Sequence, residues 1–258
     1  MAVSAVSITS EQARQFREEG FFVLKRTLPT GDLETLRGEC QRFIDERNRE
    51  MDQLGVDKLD LDRRGSRYFV HAYAKSPAVE RFLSSDLMLQ IAQAALGDTI
   101  YLFNEQYVVK AAEQGMPFSW HQDSGFINYP HLPYLTCWIA LTDATPENGC
   151  VVAMPGAHRH GTLQHVDTPI GQECWGDRAH AVEIPVRAGS IVVFTSLTPH
   201  HTERNTTDAV RKAYIVQYAP EGAVAYRPQP DGSRGPAEPL DDERRQYVVV
   251  RGGELVGV

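Results

Sequence analysis

The chain has 258 residues, 42% of them hydrophobic and 23% charged, with a formal net charge of −8. That balance suits a soluble globular protein with a substantial core. It excludes a phosphate backbone as the main partner, because nucleic-acid binding needs a basic face. Cys40, Cys137, Cys150 and Cys174 are widely spaced with no C-x-x-C pair, and read as free thiols in a reducing compartment. The first residues lack a basic n-region and a continuous apolar stretch, and no run reaches membrane-spanning length. A cytoplasmic protein with no membrane contact is expected, as a monomer or homodimer.

In chain order, Thr9 or Ser10 caps a short helix running to Glu19, with Gly20 as its natural stop. Phe21-Phe22-Val23-Leu24 predicts a buried strand. Leu33, Leu36, Cys40, Phe43 and Ile44 recur at helical spacing, so an amphipathic helix is predicted over about 32–51. Residues 55–68 crowd Asp57, Asp60, Asp62, Arg63, Arg64 and Arg67 together. Such a run reads as a solvated loop or, more sharply, as a lid that orders over a substrate. Helical spacing resumes over 79–96 and stops at Gly97. From Thr99 the pattern turns to strands, predicted over 100–111, 134–141, 150–154, 181–186, 190–194 and 212–218. Pro146-Glu147-Asn148-Gly149, Pro155-Gly156 and Ala188-Gly189 punctuate them. Helices first and then an all-β body predict a mainly β, α+β protein built on a sandwich or barrel. No repeat or linker divides it. Residues 1–258 read as one domain, with helical support over 1–98, a β core over 99–220 and a Pro- and Gly-rich tail over 221–258.

Trp120-His121-Gln122-Asp123 carries the first chemical signal. His121 and Asp123 stand two apart in an extended run and so share a face. Two histidines and one carboxylate leave open positions on a metal for a cosubstrate and oxygen. The bare spacing is weak, because His165-Val166-Asp167 repeats it and His158-Arg159-His160 offers a further pair. His158, His160 and His165 fall in a Gly- and Pro-punctuated stretch without flanking β-structure, and read as a solvated loop. His121 has strands on both sides. A third ligand is available in Thr198-Pro199-His200-His201, at the end of an apolar strand. Adjacent residues of an extended segment face opposite ways, so His200 and His201 cannot both point at one ion. Arg211 stands eleven residues beyond His200. It is either a surface strand end or a bidentate clamp for an acidic cosubstrate.

With these residues in place, the sequence resembles the phytanoyl-CoA dioxygenase family of iron(II)- and 2-oxoglutarate-dependent oxygenases. The likeness begins in Gln12 to Leu24. It runs through Trp120-His121-Gln122-Asp123, Trp138-Ile139-Ala140-Leu141 and Glu147-Asn148-Gly149-Cys150. It continues in Met154-Pro155-Gly156-Ala157-His158 and in the segment from His200 to Arg211. The resemblance implies a double-stranded β-helix (a cupin-like jelly roll) with helices packed on one sheet. It implies iron(II) on His121, Asp123 and His200, and 2-oxoglutarate with its far carboxylate on Arg211 and Thr202. Trp138 would line the cosubstrate pocket, and Gln106 could reach into it. O2 would be the oxidant. Related halogenases replace the carboxylate, so Asp123 points to C–H activation, hydroxylation above all.

Phe126, Asn128, Tyr107, His71, Tyr73 and Trp175 are the substrate-pocket candidates, with the bland alternative that these aromatics are core. No basic cluster suits the phosphates of an acyl-CoA, so a small secondary metabolite or amino-acid-like compound is expected over an acyl-CoA hydroxylase. Two other readings use the same ligands. One is a non-catalytic cupin-like binding protein, and the other is a zinc hydrolase, in which Arg211 has no evident task.

Overall fold

The computed structural model describes residues 8–59, 61–62, 66–70, 72–127, 131–168, 171–174, 176, 178–220, 224–228, 234–239 and 248–256. Thr9 opens α1 (Ser10–Glu19) with a capping box: its hydroxyl accepts from the Gln12 backbone, and the Gln12 side chain accepts from the Thr9 N–H. Gly20 ends the helix in the left-handed region at φ 87°. After β1 (Phe21–Leu24) comes α2 (Thr30–Leu54), which buries Leu36, Cys40, Phe43, Ile44 and Met51 along one face. Two short strands, β2 (Lys58–Leu59) and β3 (Leu61–Asp62), pair as a hairpin before β4 (Ser66–Val70).

The helical run expected over 79–96 is two helices, α3 (Pro77–Leu83) and α4 (Asp86–Leu96). Ser76 caps the first through the Val79 N–H, and Ser85, extended at ψ 152°, breaks the run before the second. The strands β5 (Ile100–Lys110), β6 (Phe118–His121), β7 (Leu135–Ala140) and β8 (Val151–Ala153) follow. Then come β9 (His165–Thr168), β10 (Gly171–Cys174), β11 (Val182–Ile184), β12 (Ile191–Thr195), β13 (His200–Thr202) and β14 (Arg211–Pro220). The last described elements are β15 (Val224–Pro228), β16 (Arg234–Pro239), β17 (Val248–Arg251) and β18 (Glu254–Leu255).

Two sheets face each other. The larger runs β1-β12-β7-β14-β5-β17-β18, with β4 also on β5, and the smaller runs β11-β8-β13-β6. Strand alternation sorts the side chains of the larger sheet. Tyr107, Ile139, Val193, Tyr214 and Val216 point outward and pack with Leu36, Phe43, Leu83, Met88 and Ile91 of the helices. Trp138, Ala140, Val192, Phe194 and Ala213 point inward against Val151, Ala153 and Ile184 of the smaller sheet. This is a jelly roll with helices on one sheet. All four cysteines are buried and free. No helix among the described residues is long and apolar enough to cross a membrane.

Three sequence expectations are corrected. Residues 66–68 of the expected solvated loop belong to a strand instead: β4 pairs with β5 from Ser66↔Lys110 to Val70↔Gln106. Residues 60 and 63–65 of the expected lid lie outside the described residues. The stretch around His165 is likewise not a plain loop, because β9 and β10 form a hairpin with Cys174 buried beneath it. Finally, the tail returns to the core, where Val248 and Val250 of β17 pair with Tyr101 and Ile100 of β5.

Gly20 joins the amino-terminal helix to the β body. Its carbonyl accepts from the Thr195 N–H at 3.0 Å and from the Thr198 hydroxyl at 2.9 Å. A Cβ there would meet His158 Nδ1 and Thr198 Oγ1 at 2.6 Å, on top of the positive φ. We expect Gly20→Ala to cost roughly 1–3 kcal/mol, read as a lower urea midpoint with an unchanged slope.

Candidate active site

The site is built where the smaller sheet opens. β6 ends at His121, and Gln122 stays extended (φ −104°, ψ 141°) before the turn Asp123–Phe126. The alternation therefore carries one residue past the strand, with His121 and Asp123 inward and Gln122 outward. β13 pairs with β6 and sets His200 opposite His121, their rings 4.3 Å apart. The Nε2 atoms of His121 and His200 each lie 3.8 Å from Asp123 Oδ1. The three potential ligand atoms fall within 4.8 Å of one another.

Hydrogen bonds fix which atoms are offered. His121 Nδ1 faces the Ser119 carbonyl at 2.7 Å, and His200 Nδ1 faces the Thr198 carbonyl at 3.0 Å. A carbonyl only accepts, so each Nδ1 carries the hydrogen and each Nε2 presents a lone pair. Burial, and then the nearby His200, pushes the His121 pKa down to about 4, so the ring is neutral near pH 7 as a ligand must be. On Asp123, Oδ2 accepts from Thr136 Oγ1 at 2.5 Å and from Gln217 Nε2 at 3.1 Å. Gln217 Oε1 accepts in turn from Asn104 Nδ2 at 3.0 Å. Oδ1 is left aimed at the two imidazoles. This donor set fits a divalent ion in a two-histidine, one-carboxylate face.

The turn that carries Asp123 is braced from behind. Gln122 Nε2 donates to the carbonyls of Leu197 (2.6 Å) and Gly161 (2.9 Å), and its Oε1 accepts from the Leu163 N–H. His165 Nε2 accepts from the Gln122 N–H at 3.0 Å. A Cβ on Gly125 would meet that ring at 2.2 Å. His165 thus supports the site from β9, a role its spacing to Asp167 did not suggest. His201 points away from His200 and lies against Trp120, with ring centroids 4.2 Å apart.

His121, Asp123 and His200 border a cavity of about 530 Å³ between the sheets. Arg211, Thr202, Trp138, Gln106 and Phe126 line it too. Tyr107 does not. It follows Gln106 in β5 and so faces the other way, fully buried, its ring 4.4 Å from Tyr214 and 6.0 Å from Phe43. His71, Asn128 and Trp175, and the side chain of Tyr73 in the turn Ala72–Lys75, lie outside the described residues.

At the deep end Arg211 is 1% exposed, and its guanidinium sits 5.3 Å from the Trp138 ring centre. Lys110, its register partner on β5, is fully buried as well. Lys110 Nζ donates to Thr202 Oγ1 at 2.7 Å and contacts the Glu203 carbonyl. With that lone pair taken, the Thr202 hydroxyl is oriented to give its own hydrogen to the cavity. Burial, and then the charge of Arg211, lowers the Lys110 pKa to about 6. Lys110, Thr136, Gln217 and Asn104 were missed in the sequence. On β5 the available signal was the polar set Asn104, Gln106 and Lys110 at even spacing, whereas Thr136 and Gln217 belong to no such row.

Two outcomes follow from these contacts. Thr136→Val removes one of the two donors on Asp123 Oδ2 and should weaken divalent metal binding by roughly 10–100-fold in an anaerobic titration. Between its usual value near 6.5 and the folded value of about 4, the His121 ring binds a proton only when unfolded. The metal-free protein should therefore lose stability as pH falls through that window. Urea midpoints of chelator-treated protein at pH 7.5 and pH 5 test this, and His121→Asn should flatten the difference.

Known proteins share the fold. The model of the phytanoyl-CoA dioxygenase (PhyH) family matches residues 16–213. A phytanoyl-CoA dioxygenase domain-containing protein 1 homolog from Dictyostelium discoideum is 23% identical over 83% of this chain and 92% of its own length. The carbocyclase SnoK from nogalamycin biosynthesis superposes with a TM-score of 0.72 at 25% identity, covering 94% of this chain and 96% of that one. EvdO2 from Micromonospora carbonacea var. aurantiaca, complexed with 2-oxoglutarate, gives 0.71 at 24% identity, covering 88% and 97%. The chain belongs to the phytanoyl-CoA dioxygenase family and is an iron(II)- and 2-oxoglutarate-dependent oxygenase.

Proposed function

We propose that His121 Nε2, Asp123 Oδ1 and His200 Nε2 hold the iron, and that the enzyme hydroxylates an unactivated C–H bond of a small natural product. The observation that carries this is the convergence of those three atoms, each left open by the hydrogen bonds of its own side chain. Bound iron(II) with 2-oxoglutarate supplies oxidising power from O2 while the cosubstrate loses carbon dioxide to become succinate. The chain's own residues bind and orient. Arg211 would hold the far carboxylate, and Thr202 would add a hydroxyl that Lys110 aligns. Trp138, Phe194, Val151 and Phe118 wall the cosubstrate off from water. Gln106 stands beside them on β5 and faces the same space.

We read residues 1–258 as one working unit. In support, β1 from the amino-terminal region and β17 from the tail lie in the same sheet as β5, β7, β12 and β14. Four free cysteines suit a reducing compartment, and we place the enzyme in the cytoplasm.

Anaerobic iron(II) with 2-oxoglutarate should produce a weak visible charge-transfer band. His121→Ala should abolish it; a band that survives in that variant overturns the ligand assignment. Arg211→Leu should keep iron binding but weaken 2-oxoglutarate by roughly 2–5 kcal/mol, or 30-fold and more, in the same titration. Zinc in place of iron should give no turnover.

A further inference from the structure

The outer half of the cavity differs in kind from the deep half, and a single irregularity in β5 makes it so. β5 pairs with β14 from Arg211↔Lys110 to Gln217↔Asn104, and the next pair is Tyr218↔Leu102. Phe103 is therefore an extra residue, a β-bulge. In a regular strand Asn104 and Leu102 would share a face. Here Asn104 lines the cavity and Leu102 lies in the helix-side core, so Phe103 and Asn104 both turn toward the cavity. The bulge gives up regular pairing to turn a phenyl ring into the cavity that His121, Asp123 and His200 border.

Phe103 meets Tyr134 there, ring centroids 4.6 Å apart, with Ile127 packed alongside. Phe126 completes the wall. It is 56% exposed, and its ring lies edge-on to His121 at 5.4 Å. A large aromatic left that open at a cavity mouth is surface waiting for an apolar partner.

Charge narrows the partner further. Among the described residues lining the cavity, those of acidic or basic type are His121, Asp123, His200 and Arg211. The iron and the cosubstrate use all four. A phosphate, carboxylate or ammonium entering the outer half would give up water without a further counter-charge from the described lining residues.

We infer that the substrate presents an uncharged, flat apolar ring system to the wall formed by Phe103, Tyr134, Ile127 and Phe126, and that Phe103 selects for it. This rests on the iron and 2-oxoglutarate reading of the deep half. It sets aside both acyl-CoA thioesters and zwitterionic amino-acid-like compounds. The site takes a neutral polycyclic compound.

The test is anaerobic binding to the full-length protein loaded with iron(II) and 2-oxoglutarate. The probes are flavanone, progesterone and 9-fluorenone, compared with L-proline and palmitoyl-CoA. The charge-transfer band is recorded first, so that a missing band sinks the oxygenase reading and this inference with it. With the band present, at least one neutral probe should perturb it with a dissociation constant well below ~1 mM, and neither charged probe should do so. Phe103→Ala should weaken that probe by about ten-fold or more while 2-oxoglutarate affinity holds within about two-fold. Phe126→Ala, at a largely exposed position, should weaken it as well. Binding of L-proline or palmitoyl-CoA but of no neutral probe overturns the inference. So does a neutral probe whose affinity is the same in wild type and both variants.

Discussion

The pairing of β13 with β6 is the constraint on which this molecule turns. Two segments far apart in sequence meet antiparallel with His200 opposite His121, and nothing local brings them there. The pairing is held from outside. β8 flanks β13 on its other edge, with Ala153 opposite His200, and Gln122 ties the Asp123 turn to the carbonyl of Leu197 just before β13. The Gly20 carbonyl holds Thr195 and Thr198 from the far side. A one-residue slip in β13 would put His201 in the place of His200 and turn the metal-binding face into a stacking surface for Trp120. Register, more than the identity of any one residue, makes the site.

What could be read in the sequence was the part that depends on short range. The α1 cap, Gly20, the strand at Phe21 and the long helix are each decided by neighbours three or four residues away. So is the shared face of His121 and Asp123, which survives the end of β6 because Gln122 stays extended. Tyr107 and Gln106 are neighbours on β5. One faces the helices and the other the cavity, and only knowledge of which sheet face is inward decides between them. The break between α3 and α4 at Ser84-Ser85 was hidden by an apolar spacing that both helices happen to continue.

The residues that support the site were not legible, because they act across strands. Thr136, Gln217 and Asn104 sit on β7, β14 and β5, and their chain of hydrogen bonds to Asp123 exists only once those three strands are side by side. Lys110 offers the same lesson from the other end of β5. In sequence it is one lysine closing an apolar run, and in the fold it is buried beside Arg211 with Thr202 as its partner.

β14 carries both ends of the site. Gln217, near its carboxyl-terminal end, hydrogen-bonds the Asp123 carboxylate, and Arg211, its first residue, lines the same cavity. Six residues of extended chain, about 20 Å between Cα atoms, act as a fixed ruler between the two fittings. A strand of this kind does not stretch, so the spacing between the groups that hold Asp123 and the Arg211 guanidinium is measured out by one covalent object. Wear in the protein would show accordingly: a β14 that slipped against β5 and β7 would release both together, and neither could drift while the other held.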